Sequence, residues 1–142
     1  MDGAFASVSG PFGSSLKFDK TWWSDLERLT EQIKEGSMSG FYTPGAGRVG
    51  PGYVVTDEMG HMTEAFLEDK PPEVHRELTS LFSKPLEPGR RYADIDMDKA
   101  STISRYTATN ENEAFAETLA AAKHQKNQMN TIVKRFKEIL FP

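Results

Sequence analysis

Two adjacent prolines, Pro71 and Pro72, constrain the fold of this chain more than any other feature. Neither can donate a backbone hydrogen bond, so a helix that reaches them ends there. Glycines and prolines between Gly36 and Gly52, and again at Pro85, Pro88 and Gly89, cut the chain further. The segments left between these breaks carry apolar residues at helical spacing. The pattern predicts a mainly α domain (α+β) of about five helices, with a short strand or hairpin. At 142 residues the chain is long enough for one such domain with a real core.

Residues 1–18 are rich in Gly, Ser and Ala and read as a flexible N-terminal arm, anchored by Phe5, Phe12 and Phe18. The domain proper is 19–142. Ser24-Asp25-Leu26-Glu27 has the form of a capping box, followed by Leu26, Leu29 and Ile33 at helical spacing and a stop at Gly36. Gly40-Phe41-Tyr42-Thr43 is the candidate strand, and the stretch to Gly52 reads as loop. A second helix runs from Val54–Thr56 to Glu68. Its apolar stripe, Val55, Met59, Met62 and Phe66, is expected to face the core. A third covers Glu73 to Ser83. The fourth begins at Thr109 or Asn110, with Phe115 and Leu119 inward and Ala116 and Ala120–Ala122 permitting close approach. The last spans about Asn127 to Leu140.

Several functions are disfavoured. With no cysteine there is no thiolate nucleophile, disulfide scaffold or Cys-ligated metal. A net charge of −4 argues against nucleic-acid binding, and the basic residues from Lys123 onward read as a solvated helix face. No apolar run is long enough to span a membrane, and the N-terminus lacks the features of a signal peptide, so a cytoplasmic or virion-associated setting is expected. Asp94-Ile95-Asp96-Met97-Asp98 resembles a calcium loop only superficially: Lys99 stands where the turn glycine belongs and Arg105 where the bidentate glutamate belongs. His75 reads as a surface helix residue. His124 lies three turns beyond Glu113, too far along the helix to share its site.

Two segments can carry chemistry together. Asp57 and His61 are four apart on one helix, so they share a face, and Glu58 stands beside them. This is the layout of a His-Glu-x-x-His zinc motif with Asp in the first position. About fifty residues later, Glu113 and Glu117 open another helix and can supply the carboxylate that two ligands on one helix lack.

Asp57-Glu58-Met59-Gly60-His61, then Tyr106, then Glu113-Ala114-Phe115-Ala116-Glu117 resemble the gluzincin class of zinc metallopeptidases. The closest likeness is to small domains similar to the catalytic domain of anthrax lethal factor and to phage head proteins of the Mu F-protein type. It covers roughly residues 53 to 142 and implies a minimal zincin-like fold. It implies His61 and Glu113 as zinc ligands with Asp57 in the remaining ligand position. Glu58 would be the general base, Tyr106 the donor to an oxyanion, and Glu117 a partner that orients His61 or caps the site.

Asp57 is the departure. Its side chain reaches less far than an imidazole, and its charge leaves a site of Asp57, His61, Glu113 and Zn²⁺ with no net charge, so bound water is acidified less. The likeness therefore implies zinc that is weakly bound or absent, and impaired or absent peptide hydrolysis. An oxygen-rich site could also suit a harder ion such as Mn²⁺. The alternative is a non-catalytic protein-binding or virion-type structural protein that retains the fold. Either way the partner is a peptide or protein, engaged through the cleft or the N-terminal arm.

Overall fold

A computed structural model describes residues 5–9, 15–69, 72–90, 93–124 and 130–141. The architecture is mainly helical with one small two-stranded antiparallel sheet, as the breaks and spacing predict. The sheet is not where the sequence suggested. Strands β1 (Ala6–Ser9) and β2 (Ser15–Phe18) pair with Ala6 opposite Phe18 and Ser9 opposite Ser15. The described part of the expected flexible arm is thus a hairpin, while Phe41 to Thr43 is a loop. Phe5 anchors the hairpin: its carbonyl accepts from the Trp23 indole (2.8 Å), and its ring meets Trp22 edge-on. Phe12 lies outside the described residues.

After the short helix α1 (Lys20–Trp23) comes α2 (Leu26–Met38). Its N-cap is Asp25, which accepts from the Arg28 N–H, whereas the Ser24 hydroxyl turns back to the Thr21 carbonyl. The helix also runs through Gly36. That residue serves close packing, since a Cβ there would lie 2.4 Å from the Tyr42 ring. The chain reverses at Gly40, whose φ of 80° suits glycine.

The expected loop from Pro44 to Gly52 is mostly helix: α3 (Pro44–Val49), then α4 (Pro51–Asp69). Both begin with proline, whose missing N–H costs nothing in the first turn. Helices α5 (Pro72–Ser80), α6 (Met97–Ser101), α7 (Glu111–His124) and α8 (Thr131–Leu140) follow. In the acidic loop, Ile95 bridges Ser83 and Asp96 caps α6, a structural use of the residues that mimic a calcium loop. Asn130 caps α8, and Met129 lies outside the described residues.

Helix α7 is central. Every residue from Ala114 to Ala122 is buried, and the helix packs on α3, α4, α5 and α8. One apolar cluster gathers Leu78, Phe82, Phe115, Leu119, Val133 and Phe136, with Phe115 and Phe136 edge to face. A second gathers Leu29, Ile33, Tyr53, Val54 and Ala120. Among the described residues no helix is long and apolar enough to cross a membrane.

The largest departure is the orientation of α4. Its apolar stripe does not face the core: Met59 is 54% exposed and Phe66 62%. Asp57, Glu58 and Glu64 are buried instead, each under 10% exposed. The crossing with α7 explains this. Gly60 packs so tightly on α7 that a Cβ there would sit 2.7 Å from the Ala116 Cα. The glycine face, which also carries the acids, therefore has to be the inner one.

Candidate metal centre

Helices α4 and α7 bring together the residues singled out from the sequence. His61 Nε2 lies 3.3 Å from Glu113 Oε2 and 3.9 Å from Asp57 Oδ2. Asp57, Glu58 and His61 each offer a ligand atom within 4.8 Å of the others, so the residue expected as base is also in ligand range. Glu113 is positioned by the start of α7, where the Asn110 side chain accepts from the Glu113 N–H (2.9 Å). Tyr106 arrives on a loop pinned to the α2–α3 connection, its N–H donating to the Phe41 carbonyl (2.8 Å). Its ring packs edge-on against Tyr42 and its hydroxyl is held at the Glu113 carboxylate.

Glu117 sits one turn deeper and is 1% exposed. One of its oxygens accepts from the Thr43 N–H (3.1 Å). The other, Oε2, has no ordinary donor; nor do Asp57 Oδ1 and Glu113 Oε2, and all three are buried. Glu117 faces Asp57 across α4 and α7 rather than His61, so its contact is with the ligand expected to be weak.

The electrostatics follow from this crowding. Burial pushes the Asp57 carboxyl well above its ordinary value, and the charges of Glu117, Glu113 and Glu58 add to the rise. Burial raises Glu117 too, although the Asp57 and Thr43 contacts oppose it. Glu58 is raised by burial, with Glu113 adding and His61 opposing. For His61, burial disfavours the charged ring, but contact with Glu113 and the charges of Glu58 and Glu64 prevail and raise it. Burial also works against charge on Glu113, yet His61 and Tyr106 hold its carboxyl below the usual value. Burial and the nearby carboxylates keep Tyr106 protonated, and push Tyr42 up to about 12.

Asp57, Glu58 and Glu113 around the His61 imidazole, with Glu117 behind Asp57, make a donor set that fits a divalent cation. Without one, protons must neutralise part of the charge. Beside this point a cavity of about 300 Å³ is walled by the rings of Phe5, Phe41, Tyr42, Tyr53 and Tyr106 and reaches Asp57, Glu58 and Glu117.

A second group with metal-ligand chemistry was missed in the sequence. Glu64, Glu68 and His75 also offer ligand atoms within 4.8 Å of one another. His75 is not a simple surface residue: its ring stacks on Phe115 and its Nε2 lies 2.9 Å from Glu64. The available signal was the polar stripe Asp57, His61, Glu64, Glu68, at spacings of four, three and four. His124 Nε2 is bonded to the Thr56 hydroxyl (2.7 Å). No known protein family, characterised protein or solved structure matches this chain.

Proposed function

We propose that this protein is a metallopeptidase-like domain whose cation site, formed by Asp57, His61 and Glu113, has weak hydrolytic power. The observation that carries the reading is the approach of a His61 nitrogen on α4 to the Glu113 carboxylate on α7, at 3.3 Å, with Asp57 on the same side. The likeness to gluzincins is independent support from the sequence. A cation bound there supplies Lewis-acid polarisation and makes water a better nucleophile. Zn²⁺ or Mn²⁺ suits the mixed oxygen and nitrogen donors.

The chain's own groups then have distinct tasks. Glu58, within 4.8 Å of the Asp57 and His61 ligand atoms, accepts the proton from water. Tyr106 stays protonated and donates a hydrogen bond to a developing oxyanion. Glu117 and the Thr43 N–H position Asp57 from behind. An extended peptide is held by strand addition along β1, whose Ala6, with the preceding Phe5, lines the cavity edge. A cytoplasmic or virion-associated setting accords with the likeness.

The test is Zn²⁺ titration of the purified protein beside Asp57→His and Glu113→Ala. Asp57→His is expected to tighten Zn²⁺ binding and to bring measurable cleavage of an unstructured protein such as casein. Glu113→Ala is expected to abolish binding at this point. Zn²⁺ that binds equally well to Glu113→Ala would remove Glu113 from the site. A folded Asp57→His protein that gains no hydrolysis would favour the non-catalytic reading, in which the aromatic cavity only holds a peptide.

A further inference from the structure

The second cluster lies on the same stripe of α4, one to two turns beyond His61, and is completed by a different helix. Glu64 and Glu68 are four apart, so their carboxylates share a face. His75 of α5 reaches over to them, with Nε2 at 2.9 Å from Glu64 Oε2 and 3.7 Å from Glu68 Oε1. The imidazole is held flat against Phe115, ring centroids 5.8 Å apart and planes 26° from parallel. Its direction is therefore set by packing with the core. Glu64 is 4% exposed, whereas the Glu68 side chain is 55% exposed, so the group is anchored at one end and open to solvent at the other.

A buried carboxylate normally has a basic partner. Here, among the described residues, no lysine or arginine pairs with Glu64 or Glu68. Their partner is one imidazole, which also faces the charge of Glu111 at the start of α7. Among the described residues, three carboxyl groups thus share that one ring.

We propose that Glu64, Glu68 and His75 form a second divalent-cation site, separate from the one at His61, that fastens α5 to α4. Two carboxylates and one imidazole suit Zn²⁺ or Mn²⁺ and leave coordination positions for water on the Glu68 side. No hydrolytic role is assigned to it. By tying α5 to α4 where Phe115 packs, it stiffens the wall that supports α7. The inference does not depend on the peptidase reading.

The test uses the full chain carrying His61→Gln and Glu113→Gln, which disables the first site. Calorimetric titration with Zn²⁺ is expected to show one remaining equivalent. Adding His75→Gln, which can still donate to Glu64, is expected to weaken that binding by about a hundredfold. Its metal-free melting temperature should stay close to that of the parent. Absence of saturable Zn²⁺ binding in the parent, or binding that survives His75→Gln, would overturn the site and leave the His75–Glu64 contact as an ion pair only. Should the parent variant fail to fold, the unsubstituted protein gives the same decision. Zn²⁺ must then shift the ¹⁵N resonances of the His75 ring, and unchanged resonances would overturn the proposal.

Discussion

Gly60→Ala is expected to destabilise the protein by about 3 kcal/mol or more and to separate the two halves of the metal centre. The added methyl would meet the Ala116 Cα at 2.7 Å and its carbonyl oxygen at 3.1 Å. These are backbone atoms of the most buried helix, so no side-chain rotation relieves the clash. Helix α4 must move outward, taking His61 away from Glu113. The readouts are a urea melt and the Zn²⁺ affinity, both of which should fall. Combining it with Ala116→Gly should rescue little, because that change removes the 3.1 Å contact with the Ala116 Cβ and leaves the backbone contacts. Full rescue would mean that the helices are separated by side chains and not held backbone to backbone. Unchanged stability of Gly60→Ala would show that the crossing itself is misplaced.

The metal-free protein is expected to lose stability as pH rises from about 5 to about 8, by a melting-temperature drop on the order of 5 °C. The sign follows from the direction of the shifts. Burial raises the carboxyls of Asp57, Glu58, Glu64 and Glu117, so the folded chain keeps protons that the unfolded chain has released. Stability from these groups is complete below the ordinary carboxyl pKa and is lost as pH climbs through the raised values. His61 and His75 are raised as well, so what they contribute is present below the ordinary imidazole pKa and is lost above it. Glu113 is lowered, but its contribution is already complete at the acid end of this window. Six groups thus act in one direction.

Divalent cation should reverse the slope. It replaces the shared protons, and deprotonated ligands bind it more tightly at higher pH. Free Zn²⁺ at a hundred times its dissociation constant should add about 2.7 kcal/mol. A metal-free melting temperature that stays flat or rises over this range would mean that the acidic residues are not buried as described. A basic slope that Zn²⁺ leaves unchanged would count against the cation sites.

The breaks at Pro71-Pro72 and Pro85, the cap at Asn110, and the apolar spacing of α2, α5 and α8 are local signals. Local rules read them correctly because a backbone N–H or a helix face is satisfied within a few residues. Ser24, Gly36 and the Pro44–Gly52 stretch misled for the same reason. Asp25 competed for the cap, Gly36 served a distant tyrosine, and each proline opened a helix instead of ending one.

Helix α4 marks where local reading stops. Its sequence carries two stripes of equal period, Val55-Met59-Met62-Phe66 and Asp57-His61-Glu64-Glu68, offset by two residues. Period establishes that a helix has faces; it does not say which face is inside. Hydrophobicity alone would bury the methionines. Backbone contact at Gly60, with Glu113, Glu117 and His75 arriving from other helices, buries the acids instead. The chain's order alone therefore singled out Asp57, Glu58, His61 and Glu113 and the helices that carry them. Only tertiary packing decided that the charged stripe faces inward and meets polar side chains from two other helices. The free energy of that choice lies in contacts between residues some ten to seventy-five positions apart, which no local pattern contains.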